Sequence, residues 1–147
     1  MAKINFKIVT PEKVTYQDQI DQVTIPTADG EITVHGEHMP LVSLLKAGEL
    51  KVKKEGREVL LAVSSGFVEI RPKSEVIILA DTADRAEELD EQEVAKAKQR
   101  AEDMLKEKDT LSDEQFAILA ANLDRELARF KVVKKYKNLQ GIRTSSK

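Results

Sequence analysis

The residues best suited to chemistry are concentrated in one short stretch, Gly30 to Val42. It holds both histidines of the chain, His35 and His38, together with the glutamates Glu31 and Glu37. Imidazole and carboxylate side chains in close sequence are able to bind a metal ion or to transfer protons. The stretch therefore raises the question of a metal centre or an acid–base site.

The surrounding pattern supports neither chemistry. His35, Glu37 and His38 would bind one ion only if the loop folded around it, because the chain has no cysteine and no later histidine. Ser43 and Asp29 are near in sequence, yet they form no triad or nucleophile pattern with the histidines. We predict no catalytic residue and no metal site. From chemistry alone, the stretch is expected to be a tight, exposed loop with hydrogen-bonding histidines.

The composition fits one domain, or a small domain with an appendage. The 24 lysines and arginines nearly balance 26 aspartates and glutamates, and the net charge is -2. This balance gives no reason to expect nucleic acid or an anionic membrane as a partner. No apolar run approaches the roughly 20 residues of a membrane-spanning helix. Any membrane contact is therefore expected to be indirect.

The first half of the chain, from Lys3 to about Asp81, has apolar residues at every second position in short runs, such as Phe6 and Ile8. This period of two is typical of strands with one buried face. Turn-forming residues separate the runs, so eight or more strands are predicted. No helical crossover is present to join parallel strands, which favours an antiparallel sandwich or barrel. The segment 41–45 fits either a strand or one helical turn.

After Asp81 the apolar period becomes that of a helix. Two stretches begin with a capping residue followed three positions later by a glutamate or glutamine, first Asp90 with Glu93 and then Ser112 with Gln115. They predict helices over about 90–107 and 112–135. The short polar link between these ranges favours an antiparallel helical hairpin.

The predicted apolar stripes of this hairpin are narrow. Val94, Ala97, Ala101 and Leu105 line the first helix at spacings of three and four. On the second helix the corresponding residues are Phe116, Leu119, Leu123, Leu127 and Phe130. Because isolated short helices are marginal in water, the hairpin is expected to need a supporting surface.

Three motifs resemble a known family when they are taken in order and spacing. They are Asp29 to Ile32 running on to His38 to Val42 and Gly48 to Leu50, then Ser64 to Glu69, and then Leu79 to Ala83. The matches are similar to the signature of the epsilon subunit of F-type ATP synthases. The resemblance covers about residues 3–136, which is nearly the whole chain.

This resemblance implies an α+β fold, in which a ten-stranded antiparallel β-sandwich precedes a two-helix hairpin. It divides the chain into a rotor-docking sandwich (1–84), a regulatory hairpin (85–137) and a flexible tail (138–147). The implied partners are the gamma subunit, the membrane c-ring, and the beta and alpha subunits of the catalytic head. The implied place is the cytoplasmic face of the bacterial plasma membrane, as a peripheral subunit. The residues that match the loop end facing the c-ring are Glu31, His38, Met39 and Pro40.

The second helix ends in a run of basic residues with only Glu126 as a counter-charge nearby in sequence. One interpretation is that cations complement the carboxyl end of the helix dipole. The family resemblance implies a second interpretation, in which the hairpin extends, contacts the catalytic head and blocks ATP hydrolysis. The residues implied in that contact are Arg125, Arg129, Lys131, Lys134 and Lys135.

Some relatives bind regulatory ATP at the folded hairpin, and part of their pattern is present here. Asp90 and Arg100 match it, whereas Glu93 and Asp103 stand where arginines are expected. Carboxylates beside a triphosphate are repulsive, and arginine is the residue that would offset its charge. Asp90 and Arg100 are therefore the candidate nucleotide-binding residues, and no other cofactor is predicted.

Two other classes of function fit the residues without the resemblance. A β-sandwich with a helical arm would serve as a general interaction module that binds some other partner. The helices would alternatively pair with those of a second copy as a coiled coil. A free-standing enzyme is not expected, because no phosphate loop, metal-ligand cluster or nucleophile motif is present in the sequence.

Overall fold

The computed structural model describes residues 3–145. For residue 108 and residues 141–145 it describes the backbone and not the side chains. Ten strands precede two helices, which confirms the fold class expected from the sequence. The strands are β1 (Ile4–Val9), β2 (Val14–Ile20), β3 (Gln22–Thr27), β4 (Gly30–His35), β5 (Leu41–Leu45), β6 (Gly48–Lys54), β7 (Arg57–Val63), β8 (Gly66–Arg71), β9 (Glu75–Ala80) and β10 (Ala83–Arg85). The helices are α1 (Glu91–Leu105) and α2 (Asp113–Ser145), each preceded by a 3₁₀ turn, Ala86–Glu88 and Lys108–Thr110.

The ten strands form one continuous sheet that folds over on itself. Its order is β10-β7-β6-β3-β5-β8-β9-β1-β2, and β4 pairs with β3. Strand β3 joins the two layers, because its first residues pair with β6 and Thr27 pairs with Leu45 of β5. Strand β2 also contacts β6 across the interior. The segment that fitted either a strand or a helical turn is β5.

The core lies between the two layers and comes from alternate residues of the strands. In β1, the side chains of Ile4, Phe6 and Ile8 are buried while their neighbours are more exposed. Phe6 packs edge-on against Tyr16 of β2, with ring centroids 5.8 Å apart. The period of two in the sequence therefore corresponds to one inward and one outward face, as predicted.

One strand pair departs from the predicted antiparallel pattern. Strands β1 and β9 are parallel, with Phe6 opposite Val76 and Ile8 opposite Ile78. The expectation that parallel pairing would need a helical crossover was wrong here, because the intervening seven strands of the sandwich themselves return the chain to the same edge.

Both predicted helix starts are confirmed. The carboxylate of Asp90 accepts hydrogen bonds from the backbone N–H groups of Gln92 and Glu93. At the second start, the Gln115 N–H donates to Ser112 Oγ at 3.1 Å, and the Ser112 N–H donates to Gln115 Oε1 at 3.0 Å. This reciprocal pair satisfies two amides that the helix itself leaves unpaired.

Helix α2 is longer than predicted. It continues past Lys135 as far as Ser145, so residues 138–145 of the segment predicted as a flexible tail are helical, and residues 146–147 lie outside the described part. A physical reason is the absence of proline from this segment. In addition, Tyr136 packs against the sandwich, so the contact between α2 and the sheet continues past Lys135.

The hairpin lies on the outer side of β6 and β7. Val132 of α2 packs with Leu60 and Ala62 of β7, which supplies the support that the sequence required. The predicted stripe on α2 was partly wrong, because Phe116 and Leu127 are exposed. Helix α2 packs against the sheet as well as against α1. Its buried face therefore differs from the predicted stripe and includes Ala128, Val132 and Val133.

Candidate functional site

The predicted docking residues occupy two ends of the sandwich. Glu31 is at the start of β4, opposite Pro26 of β3, whereas the loop 36–40 follows the end of β4. At about 3.3 Å per residue, Glu31 and His35 are about 13 Å apart along the strand. Strand β4 therefore separates Glu31 from His38, and the docking of these residues on the ring stays a prediction.

The loop 36–40 is exposed and rests on a neighbouring turn. The Glu37 N–H donates to Ser74 Oγ at 2.7 Å, and the His38 Nδ1–H donates to the Met39 carbonyl oxygen at 2.8 Å. Met39 is 79% exposed, and Pro40 beside it is exposed as well. Among the described side chains, no group of three histidines or carboxylates is arranged to hold a metal ion. The loop thus presents an apolar tip to its surroundings.

An apolar surface that sequence reasoning missed lies on the outer side of β5, β8 and β9. Leu44 stands opposite Phe67, and Phe67 stands opposite Leu79, so that their side chains form one row across three strands. We call this surface the apolar face, and its residues with their exposures are Val42 (69%), Leu44 (55%), Phe67 (54%) and Leu79 (48%). Contiguous exposed apolar side chains of this kind mark interaction surfaces. The signal in the sequence was that β5, LVSLL, is apolar on both of its faces.

Two ion pairs join α2 to the sandwich. Arg129 Nη2 lies 2.7 Å from Asp84 Oδ2 in β10, and Arg129 Nε donates to the same oxygen at 2.8 Å. Lys135 Nζ lies 2.6 Å from Glu49 Oε1 in β6. We call these the bridging pairs. They bring together acids and bases that are 45 and 86 residues apart in the chain.

A third cluster closes the hairpin itself. Lys134 and Lys137 of α2 lie 2.8 and 3.0 Å from the two carboxylate oxygens of Glu91 at the start of α1. Their hydrogen bonds, that from Lys134 first, hold the pKa of the Glu91 carboxyl below its usual value. Lys98 and Lys134 also lie over the Phe130 ring, at 4.9 and 5.5 Å from its centroid. Ion pairs therefore connect the start of α1 to the carboxyl-terminal half of α2.

The strong positive field predicted for the end of α2 is largely neutralised. Of the five predicted contact residues, Lys131 is exposed and is in no ion pair within the described side chains. The four in ion pairs are Arg125, Arg129, Lys134 and Lys135. Glu126 was wrongly taken as the only counter-charge, because Asp84, Glu49 and Glu91 are distant in sequence.

Glu126 is a buried carboxylate that depends on arginine. Its side chain is 5% exposed, and Arg129 Nη1 donates to Oε1 at 3.2 Å. Arg125 Nε is 3.4 Å from the same oxygen, and Oε2 has no hydrogen-bond partner within the described residues. A buried charge is costly when its partner is removed. Arg129 therefore serves Glu126 and Asp84 at once.

Replacement of Arg129 by methionine, R129M, is expected to lower the free energy of unfolding by about 3 kcal/mol, because it leaves Glu126 buried beside Arg125 alone. Urea denaturation followed by circular dichroism measures the change. The control is K131M on the same helix, where an exposed and unpaired lysine is replaced and the change should stay within about 0.5 kcal/mol. Equal losses in the two variants would contradict the role assigned to Arg129.

The candidate nucleotide-binding residues are not brought together. The carboxylate of Asp90 is used to cap α1, and Arg100 is exposed in the middle of that helix. Ten residues of helix place them about 15 Å apart at 1.5 Å per residue. Nucleotide binding by these two residues stays a prediction.

The chain is similar to known proteins in both sequence and structure. Residues 3–86 match the family model described as ATP synthase, Delta/Epsilon chain, beta-sandwich domain. An ATP synthase epsilon chain of Desulforamulus reducens is 48% identical over 109 residues, which are 74% of this chain and 82% of the relative. An ATP synthase epsilon chain of Dehalococcoides mccartyi is 41% identical over 135 residues, which are 92% of this chain and 95% of the relative.

A solved structure gives a similar result. A chain in the cryo-EM structure of the Euglena gracilis mitochondrial ATP synthase, OSCP/F1/c-ring in rotational state 1, superposes with a TM-score of 0.70 at 25% identity. The match covers 84% of this chain and 77% of that chain. Within residues 3–145, no helix has the length and apolarity that crossing a membrane requires.

Proposed function

The chain belongs to the epsilon-chain family of ATP synthases, and from this premise we propose that it couples the rotor of the synthase and restrains ATP hydrolysis. An epsilon chain is a non-catalytic subunit of the complex. The observation that carries the proposal is the arrangement of two separate surfaces on one chain. The apolar face is free for a permanent partner, whereas the basic residues of α2 are held in exchangeable ion pairs.

We assign the apolar face to the gamma subunit. The hairpin covers the other layer of the sandwich, at β6 and β7, and leaves the outer side of β5, β8 and β9 uncovered. The loop that holds His38, Met39 and Pro40 leads directly into β5, so its apolar tip is continuous with this face. Contiguous exposed apolar side chains are typical of a binding surface.

We assign the opposite end of β4 to the c-ring. Glu31 stands beside the turn that holds Asp29, and these two carboxylates suit the polar loops of a ring. A rigid sandwich presents only one of its ends to a flat ring. The four residues predicted to dock on the ring are therefore divided between two partners, with Glu31 at the ring and residues 38–40 at gamma.

The double variant L44E/F67E is expected to bind the gamma subunit about 100-fold more weakly than the unchanged chain. Each substitution places a charge where burial of an apolar side chain contributes about 1.5–3 kcal/mol. Titration of a gamma–epsilon pair by calorimetry gives the affinity. The control I118E introduces a charge at an exposed apolar residue of α2 and should bind as before. A double variant that binds normally would remove gamma from the apolar face.

The second part of the proposed function is inhibition by the hairpin. In the docked form described here, Arg129 and Lys135 are occupied by acids of the sandwich. If α2 leaves the sandwich, these side chains become available to acidic residues of the beta and alpha subunits in the catalytic head. The bridging pairs are partly buried, and ion pairs near a protein surface contribute on the order of 1 kcal/mol each. Two states of the hairpin are therefore close enough in free energy to be exchanged by new contacts.

The roles of the segments follow from these assignments. Residues 1–84 dock on the rotor, and residues 85–137 regulate hydrolysis. The chain works as a peripheral subunit at the cytoplasmic face of a bacterial plasma membrane, which it reaches through gamma and the c-ring. Co-purification with a gamma-like subunit separates this function from that of a general interaction module.

A further inference from the structure

A groove lies between the sandwich and α2 at the Glu31 end of the molecule. Its volume is about 580 Å³, and its walls come from the β3–β4 turn, the start of β6 and the middle of α2. Four lysines line it, two from the sandwich and two from the helix, and we call it the lysine groove. They are Lys46, Lys51, Lys131 and Lys135.

The lysines outnumber the acids of this groove. Among the described side chains, two acidic residues line it, Glu31 and Glu49, and Glu49 is already paired with Lys135 at 2.6 Å. Lys46, Lys51 and Lys131 are in no ion pair among the described side chains. The excess of positive charge is local, because the whole chain has a net charge of -2.

A larger groove at the opposite end of β4 has lysines that are in ion pairs. That groove, of about 710 Å³, is lined by Lys3 and Lys53. Lys3 is paired with Asp21 at 2.5 Å, and Lys53 is 3.9 Å from Glu58. Of these two grooves, the lysine groove is the one lined by three lysines that are in no ion pair among the described side chains. Like charges held near each other repel, and a bound anion would relieve that repulsion.

We propose that the lysine groove binds a multiply charged phosphate group, carried either by a small phosphate compound or by a lipid headgroup. Ammonium groups bind phosphate as point charges from several directions, and need no planar alignment. Phosphate oxygens are able to accept hydrogen bonds from Lys46 and Lys51 on one side and Lys131 on the other. A singly charged carboxylate would neutralise less of the excess.

Binding would tie α2 to the sandwich, because the lysines belong to both. The anion acts beside the Lys135–Glu49 bridging pair and adds a second connection between the same two elements. A ligand that binds only the docked form stabilises it in proportion to its concentration. The binding site stands independently of the proposed function, whereas its effect on ATP hydrolysis rests on that function.

Calorimetric titration of the full chain with sodium pyrophosphate at low salt tests the site. The expected result is one-to-one binding, and a loss of about ten-fold or more in affinity for K46Q/K51Q, which removes two of the charges. The control K96Q/K106Q removes the same charge from two well-exposed lysines of the α1 region and should bind as the unchanged chain does. Pyrophosphate should also raise the melting temperature of the helical signal of the unchanged chain and of the control, but not that of K46Q/K51Q.

Vesicles distinguish the two sources of phosphate. Phosphatidylcholine vesicles with and without phosphatidic acid are sedimented with the unchanged chain and with each variant. A lipid headgroup is the ligand if the unchanged chain sediments only with the phosphatidic acid vesicles and K46Q/K51Q does not. Binding of pyrophosphate alone identifies a small phosphate compound. Binding of neither probe, or equal binding by K46Q/K51Q and the control, would overturn the proposal. Neither assay contains the synthase, so a failure of the inhibitory function leaves these results unaffected.

Discussion

Removal of residues 89–147 is expected to raise the rate of ATP hydrolysis by the assembled synthase about ten-fold. A change of that size corresponds to about 1.4 kcal/mol of lost restraint. The main core of the sandwich is built entirely from residues between Ile4 and Ala83, so the shortened chain retains the interior that folds it. It also retains the apolar face, and it should join the complex as before. The measurement is ATPase activity of membrane vesicles at low ATP without detergent.

The matched control is a chain that ends after Lys137, which lacks only the segment 138–147. This chain keeps α1, the bridging pairs and the ion pairs of Glu91 with Lys134 and Lys137. A synthase that contains it should hydrolyse ATP at the unchanged rate. The amount of shortened chain in the complex is measured alongside, because loss of the subunit would also alter hydrolysis. Equal activity in the presence and absence of the whole hairpin would reject its inhibitory role.

Neutralisation of both bridging acids, in the variant E49Q/D84N, is expected to lower ATP hydrolysis about five-fold. The two pairs together contribute about 1–2 kcal/mol to the docked form, which changes the ratio of two states roughly five- to thirty-fold. Arg129 and Lys135 lose their partners in the sandwich and become available to the catalytic head. The direction of the effect is thus opposite to that of removing the hairpin.

The control for this variant is D18N/E58Q. It also neutralises two acids of the sandwich, but their partners, Lys54 and Lys53, belong to the sandwich as well. The ATPase rate of this control should be unchanged. Paired labels on the sandwich and on α2 report the separation of the two elements directly. Faster hydrolysis by E49Q/D84N would mean that the docked hairpin is the inhibitory form.

Local features of the fold could be predicted from the sequence. Short-range patterns determined these features. The alternation of apolar and polar residues in β1 corresponds to a strand with one buried face. Ser112 with Gln115 forms a helix start with two reciprocal hydrogen bonds. The resemblance carried by three motifs is confirmed by the family model and by the epsilon chains of two bacteria. For the strand and the helix start, the information lies within a few adjacent residues.

Features that depend on distant residues could not be predicted in this way. The parallel pairing of β1 with β9 and the bridging pair between Lys135 and Glu49 join parts of the chain that no periodicity relates. The burial of Glu126 likewise requires the sheet beneath α2. The candidate docking residues were close in sequence, yet an intervening strand separated them. Proximity along a strand is a poor guide because each residue advances about 3.3 Å.

The length of α2 has a mechanical consequence. At 1.5 Å per residue, its 33 residues form a rod about 50 Å long, while a small domain is only about 30 Å across. The buried contacts of the rod with the sheet are concentrated around Val132 and Tyr136, whereas residues 113–118 at its amino-terminal end are exposed. The first residue of α2 lies about 28 Å from Val132 at 1.5 Å per residue, so a tilt of about 10° at Val132 displaces this end by about 5 Å. The subunit is thus built as a lever, which amplifies a small rearrangement at the sandwich into a large movement elsewhere.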